Sequence, residues 1–195
     1  MMSAFTSALG KTLKWEGNYS NDTADKGGET WRGISRVNHP NWAGWSIVDK
    51  YRAMDNFPKS LQGDVSLEFA LESFYRVNFW NKISCDEFID AKNGVVNYSL
   101  AEKVFDMAVN LGLGGATKII QKAVNAILDD YPLINVDGGM GLKTIAAVKE
   151  AMILFGCERL VNTLRILQKE KYEKIVKNDP SQSVFLKGWT RRAMA

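Results

Sequence analysis

The sequence predicts an all-α protein, and three observations carry that expectation. Apolar residues recur at three- and four-residue steps through most of the chain, no segment alternates convincingly between apolar and polar residues, and the periodic stretches end at Gly, Asn, Asp or Pro. The 195 residues are 46% apolar and 24% charged, the make-up of a soluble globular chain of one or two domains that can bury a real core.

Taken in order, Ala4, Phe5, Ala8, Leu9, Thr12 and Leu13 mark one face of a helix from Ser3 to Glu16, which Gly17 ends. The next periodic stretch is SLEFALESFYRVNFW, with Asp64 as its N-cap and Leu67, Ala70, Leu71, Phe74 and Tyr75 as its apolar face. Between these two helices lie about fifty residues rich in Gly, Asn, Asp and Trp, too many for an ordinary connection and therefore expected to be functional. Within them GWSIVDKYRAM, residues 44–54, supplies one short helix. Ser99 followed by Glu102 reads as a capping box, opening a helix lined by Leu100, Val104, Ala108 and Leu111. The glycines of GLGGA break it, and Ala116, Ile119, Ile120, Ala123, Val124 and Ile127 form the next stripe. LKTIAAVKEAMILF and ERLVNTLRILQKEKYEKIV continue the pattern to the stop signal NDP. The polar turn AKNGVVNYS, residues 91–99, divides the chain into 1–98 and 99–195.

Charge and cysteine usage narrow the function classes. Residues 1–98 carry a net charge of −1 and residues 99–195 of +4, so the overall +3 sits in the C-terminal half, where it favours anionic partners. No dense Lys and Arg face accompanies it, so nucleic acid is not an expected partner. Cys85 and Cys157 form no CxxC pair and read as two reduced, structural thiols. The opening MMSAFTSALGKTLKW does not read as a secretory signal, and no window approaches the roughly 20 apolar residues of a membrane span. A cytoplasmic product without stable membrane insertion is expected. KGGE and GLGG lack the GxxxxGK[ST] context of a phosphate cradle, and DDYPLINVDGG misses the calcium-loop spacing. His39 is the only histidine and reads as a loop-structuring residue, which leaves neither a metal set nor a Ser-His-Asp triad.

The chemistry concentrates in EGNYSNDTADKGGETWRGIS, residues 16–35. Glu16 continues the Leu9 and Leu13 stripe at the C-terminal end of its helix, so its carboxyl is expected on the buried face beside the negative pole of the helix dipole. Both surroundings favour the proton-bearing form that a general acid needs. Asn18, Ser20, Asn21 and Thr30 offer uncharged hydrogen-bonding groups for sugar hydroxyls, and Tyr19 and Trp31 offer flat faces for pyranose rings. Asp22, Asp25 and Glu29 are candidates for a second carboxylate, since glycoside hydrolysis ordinarily uses a pair. Each could instead fix the loop, because Asp side chains bond nearby backbone N–H groups in turns.

This stretch resembles the EGGY-NDP-DPGGETN-GI signature of glycoside hydrolase family 108, the N-acetylmuramidase family that includes endolysins and secretion activator proteins. ALESFYRVNFW with NKISCDEF, and VFDMAVNLG, are similar to two further segments of that family. IIQKAVNAI with VDGGMGLKTIAAV resembles its small peptidoglycan-binding module, and FLKGWTRRA its terminal GW-NR element. The chain departs from the signature at Asn18, Thr23 and Lys26, where the family has glycine, proline and proline. The resemblance implies a lysozyme-like helical fold with a C-terminal helical peptidoglycan-binding region packed against it. It also implies cleavage of the β-1,4 bond between N-acetylmuramic acid and N-acetylglucosamine by a monomer without metal or organic cofactor. The family's catalytic glutamate falls on Glu16, with Asp22 or Asp25 as base or electrostatic partner and Glu29 behind them; Tyr19, Asn21, Glu29, Thr30, Trp31 and Asn110 are expected to contact substrate. The glycan strands of peptidoglycan are then the partner, reached through a holin or another export route. A lytic transglycosylase, needing one glutamate, and a non-catalytic peptidoglycan-binding or secretion-assisting protein are the alternatives.

Overall fold

The periodicity of the sequence is realised as seven α-helices among the described residues of a computed structural model, which describes residues 3–21, 28–92, 95–129, 131 and 133–195. The protein is mostly α, with short strands that the sequence did not announce. It divides into two compact units. One is Leu9–Asn78; the other joins the residues up to Ala8 with Phe79–Ala195.

The Leu9–Asn78 unit opens with the second half of α1 (Ala4–Glu16), which ends as Gly17 takes a φ of +71°. Three strands of two residues follow, β1 (Tyr19–Ser20), β2 (Thr30–Trp31) and β3 (Ile34–Ser35), forming an antiparallel sheet in the order β1-β2-β3. Their register pairs Tyr19 with Trp31 and Trp31 with Ile34. Two-residue strands are too short to show alternation, which is why the pattern left them unmarked. α2 (Gly44–Tyr51) and α3 (Val65–Tyr75) complete the unit. Asp64 caps α3 as expected, accepting from the Leu67 N–H at 2.8 Å and also from the Tyr51 hydroxyl at 2.7 Å. The unit's core is small: Leu9, Trp31, Ile34, Trp45, Val48, Leu61, Leu67, Leu71 and Tyr75 are buried. His39 does structure its loop, its N–H donating to the Ser35 carbonyl at 2.9 Å and its carbonyl accepting from Trp45 Nε1 at 2.8 Å.

In the second unit a hairpin of β4 (Asp90–Lys92) and β5 (Val95–Asn97) precedes α4 (Ser99–Leu111) and α5 (Leu113–Ile127). The capping box is not formed. Tyr98 is the N-cap, Ser99 donates its N–H to Asn97 Oδ1 at 2.9 Å, and Glu102 accepts from the Ser7 hydroxyl at 2.6 Å. A carboxylate with a hydroxyl donor across the unit gives up the shorter reach to its own helix end. Of the GLGGA glycines, Gly112 alone separates the helices, at φ +74° and ψ 160°, a region that side chains exclude, while Gly114 and Gly115 continue α5. All six residues of the expected α5 stripe are buried. The long α6 (Leu142–Asn178) is broken at Gly156, and α7 (Ser183–Met194) closes the chain. α7 is tied down by Arg192, whose guanidinium lies 3.0 Å from Asp106, by Lys103, which donates to the Ala193 carbonyl, and by Trp189, whose ring centre is 5.3 Å from that of Tyr172. Phe5, Trp80 and Phe105 meet edge-on or tilted at 5.5–5.9 Å. Cys85 and Cys157 are both buried, and neither forms a disulfide. Among the described residues no helix is long and apolar enough to cross a membrane.

Candidate active site

The turn between β2 and β3 organises the site. Arg32 and Gly33 both have positive φ, +43° and +84°, the backbone pattern of tight hairpin turns whose twist matches that of the strands. Glycine takes this shape freely and arginine does not, so something must hold Arg32 there. α3 does so from two points seven residues apart on one face. Glu68 accepts from Arg32 Nη1 at 2.9 and 3.1 Å, and the Tyr75 hydroxyl donates to the Arg32 carbonyl at 2.7 Å. The apolar face of α3 thus ends in a phenol whose oxygen does the positioning.

Glu16, the last residue of α1, meets this clamped turn half-buried. A Cβ placed on Gly33 would lie 2.5 Å from the Tyr75 hydroxyl oxygen and 2.9 Å from Glu16 Oε2. Helix end, turn and phenol therefore converge on a space that admits only a hydrogen. Burial of the α1 stripe sets the direction of Glu16, and the missing side chain at Gly33 makes room for its carboxyl.

Glu29 precedes β2, at the end away from the turn, with its side chain 9% exposed. Tyr19 donates to its Oε1 at 2.9 Å, Arg52 to the same oxygen at 2.7 Å, and Arg36 to Oε2 at 2.8 Å. Burial alone would raise its pKa, but the hydrogen bonds from Arg36, Tyr19 and Arg52 outweigh it and hold the carboxyl below its ordinary value. Arg36 also grips Asp49 through two bonds of 2.8 and 2.6 Å, pulling that carboxyl down to about 2. Tyr19 is held up by burial first and by its bond to Glu29 second. Both oxygens of Glu29 are committed to this network, so its geometry is that of an ionised anchor between the hairpin and α2.

The other expected site residues fall in different settings. Trp31 is 1% exposed and belongs to the core, so its ring face is closed to a sugar in this structure. Thr30 is half-buried and donates to the Gly28 carbonyl at 3.1 Å, and Asn21 is exposed. Asp22 and Asp25 lie outside the described residues. Asn110 belongs to the second unit, where its Oδ1 accepts from Tyr172, whose hydroxyl accepts from Gln168 at 2.8 Å. Sequence reasoning missed Gly33, Arg32, Tyr75 and the arginines Arg36 and Arg52. The signal for the turn lay in Gly33, since a two-residue hairpin loop needs positive φ and glycine supplies it freely. Among the described residues no three His, Cys, Asp or Glu side chains could hold a metal ion.

Residues 9–112 match the family model of glycosyl hydrolase 108, and residues 115–194 match that described as Predicted Peptidoglycan domain. A solved structure described as Brucella abortus SagA is 26% identical with a TM-score of 0.61, covering 97% of this chain and 89% of that one. No curated protein matches the chain. The fold is lysozyme-like with a C-terminal helical peptidoglycan-binding region, and the chain belongs to glycosyl hydrolase family 108.

Proposed function

We propose that the protein is an N-acetylmuramidase that hydrolyses the β-1,4 bond between N-acetylmuramic acid and N-acetylglucosamine, with Glu16 as general acid. The observation that carries this reading is the convergence of the Glu16 carboxyl and the Tyr75 hydroxyl on the side-chain-free position at Gly33. A general acid must be held within hydrogen-bonding reach of the leaving oxygen, and a carboxyl wedged between a helix end and a clamped turn has little freedom to wander. Glu16 gives its proton to the glycosidic oxygen as the bond to the anomeric carbon breaks. Water adds to that carbon, and its proton passes to a carboxylate of the loop, Asp22 or Asp25. Glu29 is spoken for by two arginines and a tyrosine, and on this reading it supports the hairpin from which Tyr19 and Asn21 reach the glycan.

Digestion of purified sacculi followed by mass spectrometry of the muropeptides tests bond, end chemistry and activity together. Reducing muramic acid ends are expected from the wild type, and a loss of about 10²–10⁴-fold in rate from Glu16→Gln. Anhydro-muramoyl ends would replace this mechanism with a lytic transglycosylase, and absence of any cleavage would leave a binding protein.

A further inference from the structure

We propose that the groove between α5 and α6 binds the free carboxylates of peptidoglycan stem peptides. The inference rests on the match of residues 115–194 to a peptidoglycan domain, and it names the surface and the chemistry. The groove holds about 420 Å³, within the range of small-ligand sites. Lys118 and Lys122 line it from α5 and Lys171 and Lys174 from α6, each pair one turn apart on its own helix. Glu170 is the one acid among the lining residues, so the local charge is +3, and buried Ile119 and half-buried Leu167 add apolar surface. Among the described residues of this unit, Lys149 pairs with Glu87, Lys169 with Glu173, and Arg192 with Asp106. Like charges one turn apart repel, so the pattern costs the free protein stability that a bound anion restores.

The VDGG segment packs behind one of these lysines. A Cβ on Gly138 would lie 3.1 Å from Lys118 Cε and 3.3 Å from its Cγ, so the turn packs along the lysine stem. That turn is fixed by buried Gln121, which donates to Asp137 Oδ1 at 2.8 Å and accepts from the Gly138 N–H at 2.9 Å. The motif thereby holds Lys118 at the groove's edge. The choice of carboxylates over phosphate follows from the cations present. The bidentate forks that favour phosphate and the stacking aromatics that favour single-stranded nucleic acid are both missing from the residues lining this groove. Four separate ammonium groups beside apolar surface suit several carboxylates spaced along a short aliphatic peptide.

The test is calorimetric titration of the full chain carrying Glu16→Gln, so that hydrolysis plays no part. The probes are a synthetic stem tetrapeptide with free carboxylates, the same peptide with its carboxylates amidated, and inorganic polyphosphate. The free peptide is expected to bind, and both amidation and the double change Lys122→Glu with Lys174→Glu are expected to weaken it about tenfold, as loss of two screened ion pairs would. Lys122→Gln with Lys174→Gln should give an intermediate loss, and both positions are exposed, so far-UV circular dichroism should stay unchanged. Equal binding of free and amidated peptide, full affinity in the charge-reversed protein, or no binding of the free peptide would overturn the proposal. So would tighter binding of polyphosphate, which would make this a phosphate site. Failure to cleave sacculi, in contrast, bears on Glu16 and leaves this titration standing.

Discussion

In α5 six residues at helical spacing are all buried, whereas the turn of the β2–β3 hairpin is held by one phenol, one glutamate and a glycine. The two regions keep their shape by different means. A fully buried Ile or Val of the α5 stripe contributes about 1.5–3 kcal/mol, while a half-exposed ion pair of the kind that joins Arg36, Arg52 and Asp49 contributes about 0–1 kcal/mol. The helical region is therefore stable by burial, whereas the hairpin adds to its buried Trp31 and Ile34 a turn placed by directional contacts that supply geometry more than energy. A change in the hairpin should move the acid before it unfolds the protein, and a change in the helices should do the reverse.

The largest effect that could break this contrast is expected at Gly33. Gly33→Ala must strain a φ of +84° and push a methyl group into the Tyr75 hydroxyl and the Glu16 carboxyl. A cost of about 2–3 kcal/mol in denaturant unfolding is expected, with a loss of peptidoglycan-hydrolysing activity of about 100-fold as Glu16 is displaced. An alanine variant with wild-type turnover would show that the convergence at Gly33 has no catalytic meaning.

Next is Glu29→Gln, expected to cost about 1–2 kcal/mol because two arginines and Tyr19 lose an ionised acceptor. It also tests the acid limb. Glu29 and Asp49 have folded-state pKa values below their unfolded ones, Asp49 at about 2. Their contribution is present above the unfolded values and is lost as pH falls from about 4 toward 2. Urea unfolding at successive acid pH values should show a shallower decline in the Gln variant.

The helical unit answers at the other end of the scale. Lys103 is 6% exposed, and burial, opposed by Asp106, lowers its pKa to about 8. A lysine that loses its proton sooner when folded leaves the unfolded chain binding more protons between about pH 8 and 10.5, so this group makes stability rise with pH across that window. Lys103→Met should remove a rise of about 1–2 kcal/mol, read as the difference between the two proteins' unfolding curves at pH 8 and pH 10. The smallest effect is expected for Glu87→Gln, whose pair with Lys149 is roughly half-exposed on both sides, at no more than about 0.5 kcal/mol.

What was legible follows the same divide. The α1, α3 and α5 stripes stand in the sequence because burial of a helix face needs apolar residues at fixed steps, and Asp64 could be read as a cap because the cap bond spans three residues. Trp31 was expected on a cleft wall, since an aromatic beside polar residues looks like a sugar platform, yet pairing with Tyr19 and Ile34 turns it into the core. Tyr75 was legible as one more member of an apolar face, and its hydroxyl's partner on Arg32, 43 residues earlier, was not.

The sequence by itself determined the helical class, the helix faces, the burial of Glu16's side of α1 and the family signature, because these depend on residues within a few turns of one another. Only the tertiary structure decided that Gly33 makes room for Glu16, that Tyr75 and Glu68 clamp the turn, and that Glu29 anchors the hairpin through Arg36 and Arg52. Those contacts join residues far apart in the chain through single hydrogen bonds, which leave no periodic trace for a sequence to display.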